Sequence, residues 1–189
     1  MGCPVPGLSV LQNTRAPLET LSIPKGRFQV VHLDILGPLP SSCSNTYIFT
    51  CIDRFTRWTE AFPCPTLQQS AVRAFLCGWV SRFCPPATVI ADRGAQFESQ
   101  LWHSLLQFLG TSRHRTTAYH PQSNGTVERF HRQLKDTIEA QHDPYSWTDA
   151  LPLVLLGIHA SHKEDMDCSP ADLTLGEPPS PTRRFLTPS

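Results

Sequence analysis

The stretch Phe28-Gln29-Val30-Val31-His32-Leu33-Asp34-Ile35-Leu36, closed by Gly37-Pro38, decides the fold class. Read as an alternating strand, it puts Val30 on one face and Val31, Leu33 and Ile35 on the other. A strand that is apolar on both faces belongs inside a sheet covered on both sides. Outward from it, Tyr47 to Ile52 reads as a second strand ended by Asp53-Arg54. Arg57 to Phe62 reads as a third, ended by Pro63. The short connections between the three suit an antiparallel meander.

Past the meander the period changes. Leu67 to Phe83 has helical spacing through Leu67, Ala71, Ala74, Phe75 and Gly78, and stops before Pro85-Pro86. Thr88 to Ala91 is a short buried strand running into Asp92-Arg93-Gly94. Phe97 to Leu109 reads as a helix with Phe97, Leu101, Leu105 and Leu109 in register and Gly110 as its stop. Arg113 to Thr116 is a further strand. Ser123 to about Gln141 is a long helix, and Trp147 to His159 another, with Ser146 as its cap. Strands first, then alternation, then helices define a mixed α/β domain. Residues 1–24, with Pro4, Pro6, Pro17 and Pro24, read as an arm, 25–178 as the folded core and 179–189 as a Pro-rich tail.

At 189 residues the chain suits one domain, and 40% apolar against 17% charged residues excludes a disordered polymer. Lysine plus arginine equals aspartate plus glutamate at 16 each, so overall charge carries no nucleic-acid signal. The local distribution does. Between Thr111 and Lys135 stand Arg113, Arg115, Arg129, Arg132 and Lys135, with Glu128 the only acid. Such a stretch serves equally as a phosphate-binding face or a solvated helix face. Seven cysteines without Cys-x-x-Cys spacing, and no apolar leader, point to a reducing compartment, with Cys51 and Cys77 as small core residues. No apolar run reaches membrane-spanning length.

On a helical wheel, Val127, Phe130, Leu134 and Ile138 form one stripe, and Asn124, Glu128, Arg132, Lys135 and Glu139 another about a quarter turn away. Glu128 then stands beside the edge of a docked face. Asp34 and Asp92 each close an apolar strand, where an ionised carboxylate is costly without a cation. Taken singly, each acid is as readily a strand cap or surface residue. Taken together, hard oxygen donors of this kind suit Mg²⁺, and a pair of such ions suits phosphoryl transfer. His32 is read as a partly buried structural histidine. Asp53 is read as supporting the fold or pairing with Arg54 or Arg57, and otherwise as a fourth acid. Trp58, Trp79, Trp102 and Trp147 read as core or subunit-contact residues.

The same residues lie in motifs that resemble the integrase core of gypsy-type long-terminal-repeat retrotransposons and, more distantly, retroviral integrases. These are His32-Leu33-Asp34-Ile35-Leu36-Gly37-Pro38-Leu39-Pro40, Ile52-Asp53-Arg54-Phe55-Thr56-Arg57-Trp58, Ala91-Asp92-Arg93-Gly94-Ala95-Gln96-Phe97 and Thr117 through Arg129. Between Asp92 and Glu128 lie 35 residues, the spacing typical of that family. The resemblance implies a ribonuclease-H-like fold, a five-stranded mixed sheet flanked by helices. It implies that Asp34, Asp92 and Glu128 are catalytic and hold two Mg²⁺ (or Mn²⁺) ions. It implies a transferase that trims the 3′ ends of element DNA and joins them to target DNA. Asn124, Arg132 and Lys135 match DNA-contacting positions, and Tyr119 lies in the active-site loop. It further implies a homodimer or higher oligomer working in the nucleus. Cys84, Ala91 and His159 depart from the usual residues at their positions. Cys3 is read as the last remnant of a lost zinc domain. The rival reading is a catalytically silent, host-adopted DNA-binding or protein-interaction module.

Overall fold

The computed structural model describes residues 24, 26–115, 121–139 and 145–176, with only the backbone of 121–124, 126 and 139. The strands are β1 (Val30–Leu36), β2 (Tyr47–Asp53), β3 (Thr59–Cys64), β4 (Thr88–Ala91) and β5 (Ser112–Arg115). They form one mixed sheet in the order β3-β2-β1-β4-β5. β1–β2 and β2–β3 pair antiparallel, whereas β1–β4 and β4–β5 pair parallel. β1 therefore lies at the centre, as its two apolar faces require.

Helices cover both faces. On one side pack α1 (Gln68–Arg73), the π-helical Ala74–Val80, α2 (Ser81–Phe83) and α3 (Gln100–Leu109). Phe75, Trp79, Trp102 and Leu106 meet Val31, Leu33, Phe49 and Val89 there. On the other side α4 (Pro121–Glu139) and α5 (Trp147–Ala160) bring Phe130, Leu134, Ile138, Trp147 and Leu151 against Ile48, Ile52 and Ala61. A last short helix, α6 (Pro170–Leu175), follows. The result is a helix–sheet–helix sandwich with two cores.

Several expectations are corrected in detail. The third strand begins at Thr59, because Asp53 takes Phe28 N–H, Thr56 N–H and the Thr56 hydroxyl and folds the preceding residues into a turn that leaves Arg57 at φ +62°. Asp53 thus supports the fold through two backbone donors and the Thr56 hydroxyl, and its charge also acts on Arg57 without a close ion pair. The helix over Leu67 to Phe83 is broken into three segments. Gly78 within it lies against the Phe62 ring so closely that a Cβ would stand 2.4 Å from Cε1. Helix α3 starts at Gln100, because the Ser99 hydroxyl accepts Trp102 N–H and sets the first turn. Its buried face is consequently Trp102 and Leu106, while Leu101 is exposed. Ser146 sits at the start of α5 but its side chain makes no capping hydrogen bond. Cys51 is buried; Cys77 is exposed. Trp79, Trp102 and Trp147 are fully buried, and half-buried Trp58 stacks on His159 at 3.7 Å. The arm at residues 1–23 and the tail at 179–189 lie outside the described residues.

Candidate active site

The parallel pairing of β1 with β4 sets two acids side by side. Leu33 stands opposite Ala91 in that register, so Asp34 and Asp92 come next on neighbouring chains, whose backbones run roughly 4.8 Å apart in a sheet. Helix α4 docks its Phe130–Leu134–Ile138 stripe on the face that carries His32 and Asp34, which brings Glu128 to the same place. Asp34, Asp92 and Glu128 line one cavity of about 200 Å³, together with His32, Leu33, Ile90 and Val127.

Each carboxylate meets a different environment. Asp34 accepts its neighbour's Ile35 N–H at 2.7 Å. Burial raises its pKa to about 6, against that hydrogen bond and with help from the charge of Asp92. Asp92 turns back to accept Gly94 N–H at 2.9 Å. Glu128 is exposed on α4. His32, 4% exposed, is held neutral, its pKa lowered to about 4 by burial and then by Arg54 and Arg57. It is a buried structural histidine beside the acids.

Two residues that sequence reasoning missed hold this arrangement. His131, on α4, sits with Nδ1 3.6 Å from the Asp34 carboxylate and Nε2 3.0 Å from the Thr50 hydroxyl. That hydroxyl donates to the Asp34 carbonyl at 3.1 Å, so it accepts from His131 Nε2–H. Burial lowers the His131 pKa to about 4. Arg113, on β5, donates to the Asp92 carbonyl at 3.0 Å, the Phe97 carbonyl at 2.5 Å and the Glu98 carboxylate at 2.9 Å. Its side chain is 9% exposed. It therefore pins the whole turn from Asp92 to Glu98 against the sheet.

Among the other sequence-derived site residues, Arg132 and Lys135 are exposed on α4. Asn124 lies in the first turns of α4, its side chain outside the described residues, and Tyr119 lies outside them altogether. Among the described residues no three His, Cys, Asp or Glu side chains stand close enough together to hold a metal ion as they are. The donor chemistry nevertheless fits a hard divalent cation. Three carboxylates and no thiolate line the cavity, and the mutual repulsion of Asp34 and Asp92 is one that a cation relieves.

Fold and cavity together define a ribonuclease-H-like domain with an acid-lined cleft at the carboxyl ends of its central parallel strands. Comparison with known proteins agrees. The magnesium complex of the HTLV-2 integrase catalytic core domain, a trimeric form, superposes with a TM-score of 0.61 at 13% identity, over 79% of this chain and 97% of that one. The Gag-Pol polyprotein of woolly monkey sarcoma virus is 32% identical over 151 residues, 78% of this chain and 9% of its own. The retrovirus-related Pol polyprotein from transposon 412 of Drosophila melanogaster is 30% identical over 126 residues, 66% of this chain and 10% of its own. The chain thus spans about a tenth of the length of these polyproteins. The profile of the integrase core domain matches residues 24–121, just over half of the chain. This chain belongs to the integrase core domain family.

Proposed function

We propose that the chain is the catalytic core of a gypsy-type retrotransposon integrase and acts in DNA integration. In this reading it is a polynucleotidyl transferase of the D,D-35-E type that trims the 3′ ends of element DNA and joins them to target DNA by in-line attack on phosphodiesters. The core spans residues 25–178, between an arm at 1–24 and a tail at 179–189. One observation carries the reading: Asp34, Asp92 and Glu128, from two strands and a helix distant in sequence, line the same cavity.

Those three residues would hold Mg²⁺ or Mn²⁺, two ions in all. When bound, such ions activate an attacking hydroxyl and stabilise the leaving oxygen. The chain itself supplies position. His131, through the Thr50 hydroxyl, fixes the Asp34 backbone, and Arg113 fixes the segment bearing Asp92. Arg132 and Lys135 on α4 would hold DNA phosphates, as would Asn124 and Tyr119. The partner set also includes further copies of the chain, as a homodimer or higher oligomer. The exposed Phe108, Leu153 and Leu156, at 86%, 70% and 60%, offer apolar surface for that contact. Nuclear location follows from the DNA substrate. Among the described residues no helix is long and apolar enough to cross a membrane.

The second reading is a catalytically silent, host-adopted DNA-binding or protein-interaction module derived from an integrase. Strand transfer and disintegration on a branched DNA with Mn²⁺ separate the two, comparing the parent chain with Glu128→Gln. Metal-dependent joining that Glu128→Gln abolishes is expected. Equal activity in both proteins would remove the assigned mechanism, and inactivity in both would favour the silent module.

A further inference from the structure

A second cavity, of about 500 Å³, shares none of its lining residues with the acid-lined one. Buried Ile52, Phe130 and Ile158 form its floor, and Arg57, Arg129 and Lys163 face it as permanent cations. Two carboxylates, Glu164 and Asp165, line it as well, so the cations outnumber them by one. Arg54 adds a fourth positive charge: it acts on Arg57, and its own Nη1 is buried without a hydrogen-bond partner. Neither Arg57 nor Arg129 makes a side-chain hydrogen bond or ion pair among the described residues.

This arrangement runs against the usual economy of a folded chain. Arg57 is half-buried, and a guanidinium so placed beside the exposed Arg129 is costly to desolvate unless an anion meets it. Burial does push Arg57 below its ordinary range, Asp165 and Asp53 oppose that, and Arg129 and Arg54 add to it. The chain also accepts φ +62° at Arg57, a left-handed backbone that a bulky side chain seldom adopts. The turn that Asp53 organises sets this backbone and so delivers into the cavity a guanidinium that makes no close ion pair among the described residues. The planar, forked guanidinium suits the oxygens of a phosphate. Arg129 directly follows Glu128 on α4, so the two cavities adjoin along one helix. A polymer with regularly spaced phosphates can reach both.

We propose that this cavity is a second phosphate site, holding a backbone phosphodiester of the nucleic acid whose reacting phosphodiester lies at Asp34, Asp92 and Glu128. The inference rests on the integrase reading. It is tested in EDTA, where chemistry plays no part, by fluorescence anisotropy of a labelled DNA duplex between about 50 and 200 mM salt. Arg57→Gly is the informative variant, because glycine accepts the left-handed backbone while removing the arginine side chain. Arg129→Ala, on the exposed face of α4, serves if Arg57→Gly melts early. Each is expected to weaken duplex binding roughly 10-fold at the lower salt, and to flatten log affinity against log salt by about 0.9. Parent-like slopes in both variants would overturn the site, as would a parent that binds no duplex. Millimolar inorganic phosphate that raises the melting point of the parent but not of Arg57→Gly, with the DNA slope unchanged, would mark a free-phosphate site and overturn the nucleic-acid assignment. The catalytic reading is judged separately, by Glu128→Gln under Mn²⁺, so either can fail while the other stands.

Discussion

Arg113 shows how a single side chain fixes the segment that carries a cavity-lining acid without touching that acid's carboxylate. Replacing Arg113 with methionine keeps the bulk but strands two carbonyls and leaves the Glu98 carboxylate with Arg115 at 3.1 Å and His103 at 3.9 Å. We expect Arg113→Met to lose about 1–3 kcal/mol of stability. Mn²⁺ titration should show weaker binding, because the Asp92 segment loses its anchor. Unchanged Mn²⁺ affinity in a folded Arg113→Met protein would show that the segment holds itself. That the three carboxylates share one cavity was expected from the motifs' resemblance to integrase cores, whereas strand-end position alone left each aspartate as readily a cap. Arg113 and His131 were not legible in the sequence. Their partners are 15 to 21 and 81 residues away, and no periodicity records a side chain reaching across a sheet. Asp53 was legible as a structural acid but not in its partners, because backbone donors leave no trace in residue type.

At the scale of the element, the stripe on α4 was the most faithful sequence signal: Phe130, Leu134 and Ile138 are 5%, 0% and 3% exposed. Leu134→Ala should cost about 2–5 kcal/mol in urea unfolding. Because α4 carries Glu128, the same change should reduce catalytic competence under conditions where the rest of the chain stays folded. Helix α3 was read one position out of phase, since apolar spacing alone cannot say where the Ser99 cap starts the first turn. The π-helical turn over Ala74–Val80 left no sequence mark beyond Gly78, where the Phe62 ring needs room. Gly78→Ala is expected to destabilise by about 1–3 kcal/mol, read as a shift in unfolding midpoint. Helix α6 went unread although Ser169, Pro170 and Asp172 form a capping box closed by Gly176. Six residues are too few for a period to register, but that cap pattern was available.

For the molecule as a whole, acid response follows from histidines packed neutral. His32 and His131 have folded pKa values of about 4, against ~6.5 in an unfolded chain. As pH falls through that window the unfolded chain takes protons first, so stability drops. Asp34, raised to about 6, works the other way, gaining stability as pH falls below 6. His159 joins the two histidines in sign and Asp53 joins Asp34. Two large shifts oppose one, so chemical denaturation in EDTA should give a lower midpoint at pH 5 than at pH 7. His131→Gln should narrow the gap, and an equal midpoint at both values would contradict it. The two-sided sheet also bears on how the chain comes into being. Until α4 and α5 leave the ribosome, only Leu36 and Leu39 of that cluster are present to lie beside Ile48, Ile52 and Ala61. The third acid arrives in the same layer that seals this surface. A half-synthesised copy therefore exposes this apolar layer to chaperones or proteases before Glu128 joins Asp34 and Asp92 in their cavity.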